Sequence, residues 1–92
     1  MSGTEFAVAI EVVSTAEVYW LAVDERRIPV IDGRGSVRLT AGRHVLVWWM
    51  EGERGTGIDL ALAAGDEVLA TVSARIASGY RSGAGVLHFD LD

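Results

Sequence analysis

A chain of 92 residues carrying a net charge of −5 makes a single domain, residues 1–92, with room for one modest core. Half of the residues are hydrophobic, which excludes a disordered tail, and the lack of cysteine excludes a disulfide framework, a thiol nucleophile and a thiolate metal site. All eight basic residues are arginines and they are scattered, so the basic stripe expected of a nucleic-acid binder is missing.

The opening Met-Ser-Gly-Thr-Glu-Phe has no basic segment followed by an apolar one, the pattern of a signal peptide. The longest uninterrupted apolar run, Val45 to Met50, is far too short to span a bilayer. A cytoplasmic protein is the expectation, with a longer secreted parent left open. Lysine, asparagine and glutamine are all absent, a bias that points to a high-GC coding sequence and not to function.

Glu5 to Val13 alternates, with Phe6, Val8, Ile10 and Val12 on one face and Glu5, Ala7, Ala9 and Glu11 on the other. This is the pattern of a half-buried strand. Ser14-Thr15-Ala16-Glu17 has the form of a helix capping box. The β-formers Val-Tyr-Trp-Leu-Ala-Val follow at once, so a turn and a second strand, Glu17 to Asp24, are expected instead. Here Tyr19, Leu21 and Val23 share one face, and Val18, Trp20 and Ala22 the other. Asp24-Glu25-Arg26-Arg27 reads as a charged turn. Ile28 to Ile31 reads as a short strand that Pro29, lacking an N–H, places at an edge or a strand start. Asp32-Gly33-Arg34-Gly35 is a strong turn signal, because glycine supplies positive φ cheaply.

Ser36 to Thr40 alternates again, with Val37 and Leu39 inward. The run Gly42 to Gly52 follows, and both of its faces are apolar. His44, Leu46, Trp48 and Met50 point one way and Val45, Val47 and Trp49 the other. Beyond it, Ile58, Leu60 and Leu62 form the inner face of another strand, with Asp59 opposite. Glu67 to Ala77 reads as the longest strand, with Val68, Ala70, Val72, Ala74 and Ile76 on one side, and Leu69 out of phase. A helix over Asp59 to Ile76 is the rival reading, and the Gly65-Asp66 break argues against it. Ala77 to Gly85 is expected to be the longest loop, a hairpin tip. The chain closes on Val86 to Leu91, with Leu87, Phe89 and Leu91 inward. Strand signals at roughly 8–12-residue spacing, separated by glycine turns, predict an all-β fold. Specifically, they predict a seven- to eight-stranded, mostly antiparallel β-sandwich of the immunoglobulin/prealbumin type.

Leu21-Ala22-Val23-Asp24, Pro29 and Leu39-Thr40-Ala41-Gly42-Arg43-His44-Val45-Leu46 together resemble the PEGA family, over about Val12 to Ile76. These are small β-sandwich modules of bacterial surface and multidomain proteins. The chain departs from the family pattern where Glu25 replaces the glycine after the aspartate, where Ser14-Thr15-Ala16 stands for Pro-x-Gly-Ala, and where Pro29 comes early. The resemblance implies a bacterial module with His44 facing the core, and it carries no catalytic residues.

No constellation of residues points to chemistry. His44 and His88 lack an acidic cluster of metal-ligand spacing, and His44 is expected to bond a turn carbonyl. There is no Gly-x-Ser-x-Gly elbow, Gly52-x-x-Gly55-x-Gly57 is followed by no Lys-Ser/Thr, and the aspartates have no calcium-loop spacing. No cofactor, metal or enzymatic activity is expected. Tyr80 and Arg81, in a Gly/Ser loop, are the candidate ligand-loop residues, against the plainer reading of an ordinary tip.

The tryptophans carry the functional expectation. Adjacent strand residues point to opposite faces, so Trp48 and Trp49 cannot share one core. With Trp48 inward, Val18, Trp20, Val45, Val47 and Trp49 form an outer apolar patch of several hundred Å², near the size that marks an interaction site. A non-enzymatic protein-interaction or structural module follows, self-associating as a homo-oligomer, in its simplest form a dimer. The alternative is a carbohydrate-binding module with an exposed tryptophan platform. No nucleic acid and no membrane span are expected.

Overall fold

The computed structural model describes residues 4–53 and 55–91. They form eight strands: β1 (Glu5–Ser14), β2 (Val18–Val23), β3 (Arg26–Ile28), β4 (Arg34–Thr40), β5 (Gly42–Glu51), β6 (Gly57–Ala64), β7 (Glu67–Arg75) and β8 (Ser82–Leu91). They build two four-stranded sheets, ordered β4-β1-β6-β7 and β3-β2-β5-β8, in which every pairing is antiparallel. The β-sandwich expected from the alternating sequence is therefore the fold. No helix of the described residues is long and apolar enough to cross a membrane.

The chain changes sheet five times, after β1, β3, β4, β5 and β7. Only β2–β3 and β6–β7 are hairpins within one sheet. The first change uses Ser14-Thr15-Ala16 as a turn and not as a helix cap. The Ser14 hydroxyl accepts from the Ala16 N–H at 3.0 Å and donates to the Gly57 carbonyl at 2.8 Å. Side-chain bonds of this kind offer the backbone a local alternative to a helical turn. The expected Asp32-Gly33 turn is present, with φ of 53° and 76° and paired backbone bonds between Ile31 and Arg34.

Alternation delivers one apolar face of each sheet to a shared interior. Val8, Ile10 and Val12 from β1, and Ile58, Leu60 and Leu62 from β6, meet Leu21, Val23, Leu46, Trp48, Met50, Phe89 and Leu91 from the second sheet. Burial of these faces is the main favourable term in a domain with no disulfide.

Three expectations are corrected. The short strand is Arg26–Ile28 and not Ile28 to Ile31: Pro29 ends it, and Ile31 is 74% exposed. In β7, the register shifts between Leu62 and Ala63, whose partners are Ala70 and Val68. Leu69 is the extra residue of a bulge, which changes the facing of the strand on either side of it. Leu69 packs against the core, and Val68, expected inward, is 64% exposed. At nine residues, β7 is also shorter than β1, β5 and β8, at ten each.

The third correction concerns Ala77 to Gly85. The segment is not a hairpin tip but a crossing between sheets, and Ser82 to Gly85 already belong to β8. Gly83 and Gly85 are there because of what lies opposite. They pair with Met50 and Trp48, and indole atoms of Trp48 fill the space where a Cβ at Gly85 would stand. A side chain at Gly85 would occupy the space of that ring. Gly85→Ala is expected to destabilise the fold by about 1–3 kcal/mol in chemical denaturation. Gly83→Ala meets only the flexible end of Met50, at 3.3 Å, and is expected to cost clearly less.

Candidate functional site

The outer face of the second sheet is the only large surface that the sequence singles out, and register assembles it row by row. Trp20 on β2 pairs with Trp49 on β5, and Trp49 with Ala84 on β8. One row along, Arg27 on β3, Ala22, Val47 and Val86 lie side by side. Val45 pairs with His88 in the next row. The five residues expected to form the patch, Val18, Trp20, Val45, Val47 and Trp49, thus project from one face, while Trp48 is buried.

The two outer indoles stack on each other, with ring centroids 6.4 Å apart and planes 22° from parallel. The Arg27 guanidinium carbon lies 5.2 Å from the Trp20 ring centroid, a distance at which a cation is attracted by the electron-rich ring face. This mutual cover leaves Trp20 and Trp49 half-buried, like Val45 and Val47. Val18 and Val86 are the open parts of the surface, 53% and 63% exposed. Beside them, Glu17, Val18, Tyr19, Trp20, Arg27 and Pro29 line part of a shallow groove of about 570 Å³ along the short edge of β3.

Ala22, placed on this face by its parity, is buried beneath its neighbours; sequence reasoning missed Arg27 and Val86 as members of this face. Arg27 was expected in a turn, but the turn is only Asp24-Glu25, so Arg27 falls inside β3 opposite Ala22. Val86 was legible in principle. Once Leu87 and Phe89 are inward, its parity sends it outward.

At one end of β5, the turn between β2 and β3 is tied down by a histidine. His44 Nδ1 lies 2.5 Å from Asp24 Oδ2, and Nε2 lies 2.7 Å from the Thr40 carbonyl oxygen. The Asp24 carboxylate also accepts from the Val45 N–H at 3.0 Å, and the Asp24 N–H donates to the Val45 carbonyl at the same distance. This bracing holds Asp24 and Glu25 at φ of 49° and 70°, a left-handed turn with no glycine. The expectation that His44 bonds a turn carbonyl is met by Thr40. Both ring nitrogens face acceptors, an arrangement that favours the imidazolium, which can donate from both. Among the described residues, no group of three or more His, Asp or Glu side chains is placed to hold a metal ion.

Tyr80 and Arg81 lie in the crossing from β7 to β8. Tyr80 is exposed and its N–H closes a turn onto the Ala77 carbonyl, while the Arg81 carbonyl accepts from the Gly52 N–H. No protein-family model, curated protein or solved structure matches the chain.

The electrostatics of the brace set a pH window. Burial alone would lower the His44 pKa, but the bonds to the Thr40 carbonyl and the Asp24 carboxylate, with the carboxylate's charge, outweigh it and raise the value above the ordinary 6.5. Burial likewise opposes ionisation of Asp24. The His44 bond, the Val45 N–H and the charges of His44 and Arg26 outweigh it and hold that pKa below 3.8. The raised imidazole contributes stability that is complete below pH 6.5 and lost as pH rises through its folded value. The lowered carboxylate contributes stability present above pH 3.8 and lost as pH falls through its folded value. The brace is therefore strongest between about pH 4 and 6.5. Melting temperature is expected to decline on the alkaline side of this window in the wild type. In His44→Gln that decline should be lost, and in Asp24→Asn the His44 titration followed by NMR should move to lower pH.

Proposed function

We propose that this chain is a non-enzymatic protein-contact module that associates with itself through the outer face of the β3-β2-β5-β8 sheet, in its simplest form as a two-fold dimer. The observation that carries the reading is the row Ala22–Val47–Val86, flanked by the stacked Trp20–Trp49 pair and by Val45. A solvated antiparallel sheet normally presents polar residues on its outer side, and β2 and β5 here present valine and tryptophan, continued on β8 by Val86. The face repeats on every copy, so two copies related by a two-fold axis would offer each other identical apolar patches. His44 has close polar partners at both ring nitrogens and holds a turn, which supports a module without chemistry. A cytoplasmic location belongs to the same reading. So does the PEGA resemblance, whose residues Asp24 and His44 meet in the brace that ends the contact strand.

One observation favours the carbohydrate reading, namely two nearly parallel indoles with an arginine beside them. The indoles, however, face each other across the strands and are flanked by Val47 and Val18, which leaves few polar partners for sugar hydroxyls.

Light scattering across the micromolar range is expected to give a mass that rises with concentration in the wild type and rises clearly less in Trp49→Glu. A monodisperse wild-type monomer at the highest concentration, together with tryptophan emission that responds to oligosaccharides, would reverse the order of the two readings.

A further inference from the structure

The four sheet edges are not alike. β3 is three residues long and ends at Pro29, β4 carries Arg34 and Arg38, and β7 has a bulge at Leu69 and the charged ends Glu67 and Arg75. These are the usual devices that keep an edge from pairing with another chain. β8 has none of them along its middle. It runs for ten residues in unbroken register with β5, and from Ser82 to Val86 it is small, uncharged and free of proline.

Which of its backbone groups are free follows from the ladder. The Gly52 N–H donates to the Arg81 carbonyl, next in register to the Glu51–Ser82 pair. Hydrogen-bonded pairs alternate along an antiparallel ladder, so Gly83, Gly85, Leu87 and Phe89 bond β5. Ser82, Ala84, Val86, His88 and Asp90 turn both N–H and C=O to the open edge.

We propose that a second copy of this chain adds to that edge, β8 against β8 in antiparallel order, joining the two sheets into one. The proposal goes beyond the face contact above and uses different atoms: the edge groups lie in the plane of the sheet, the patch projects from it, and both contacts can form together.

The strand is self-complementary in this arrangement. Centred on Val86, it sets Val86 against Val86 of the second copy, Ala84 against its His88, and Ser82 against its Asp90. Every free edge residue then finds a partner, and no like charges are opposed. A shift of the centre by two residues in either direction leaves free groups at the ends, and a shift toward the C-terminus also sets His88 against His88. The ends are complementary too. Arg81 precedes one end of β8 and Asp90 lies near the other, so antiparallel pairing brings a basic end near an acidic one, whereas parallel pairing would bring like ends together. Asp90 is already held by Arg43 at 3.3 Å on its own sheet, which keeps its carboxylate from repelling a neighbour. Across the join, the row Ala22–Val47–Val86 continues into its copy.

The test is amide hydrogen exchange on the full chain at low and high concentration, read with sedimentation velocity. The N–H groups of Ala84, Val86 and His88 are expected to slow by about tenfold or more at high concentration, because pairing closes them off from water. Ala84→Pro removes an edge donor without touching the β5 ladder and is expected to abolish this protection and the edge dimer. Trp49→Glu, which removes the face contact, is expected to leave the protection in place. Val86→Lys provides a second edge variant should Ala84→Pro fail to fold. The proposal is overturned if these amides exchange at the dilute rate at every concentration. It is equally overturned if folded edge variants associate like the wild type.

Discussion

The structure depends on one steric constraint, the two-residue alternation of a pleated strand. In β5 that constraint meets two consecutive indoles, and only one of them can enter the interior. Trp48 enters, and to do so it needs space for its indole, which the opposite strand supplies as glycine at Gly85. Trp49 is thereby committed to the outside, where Trp20 stacks against it and Arg27 lies near Trp20. The interior packing of one strand and the outer surface of three strands are consequences of the same register. A slip of one residue would exchange them entirely.

The brace at the far end of β5 fits this picture. A turn without glycine between β2 and β3 sits in an unfavourable backbone region at two positions, and it holds its shape because Asp24 is gripped by His44 and by the Val45 N–H. Short as it is, that turn fixes the register of β2 against β3 and so places Arg27 opposite Ala22, beside the tryptophan pair. Histidine here is an architectural residue that also makes stability depend on pH.

Much of the fold was legible in the sequence where a single rule acted alone. Alternation sorts β1, β4, β5 and β6 into their two faces, and Asp32-Gly33 marks a turn through its backbone preference. What stayed hidden arises where tertiary context overrides a local signal. Gly83 and Gly85 look like loop residues until the ring of Trp48 is seen across the ladder. Val68 looks inward until the Leu69 bulge changes the facing of the strand. Arg27 looks like part of a turn because a two-residue turn built from Asp and Glu lacks the usual glycine. The outer patch was legible as five residues from β2 and β5, but not its extension through Arg27 and Val86, because strand order determines which rows adjoin.

The most direct measurement is iodide quenching of single-tryptophan forms of the chain, retaining either Trp48 or Trp49, across a concentration series. If register divides the two indoles as described and the outer face is a contact surface, Trp48 is shielded throughout, while Trp49 is quenched when dilute and becomes shielded as copies associate. Equal quenching of the two residues, or a Trp49 signal that never changes with concentration, would contradict the account.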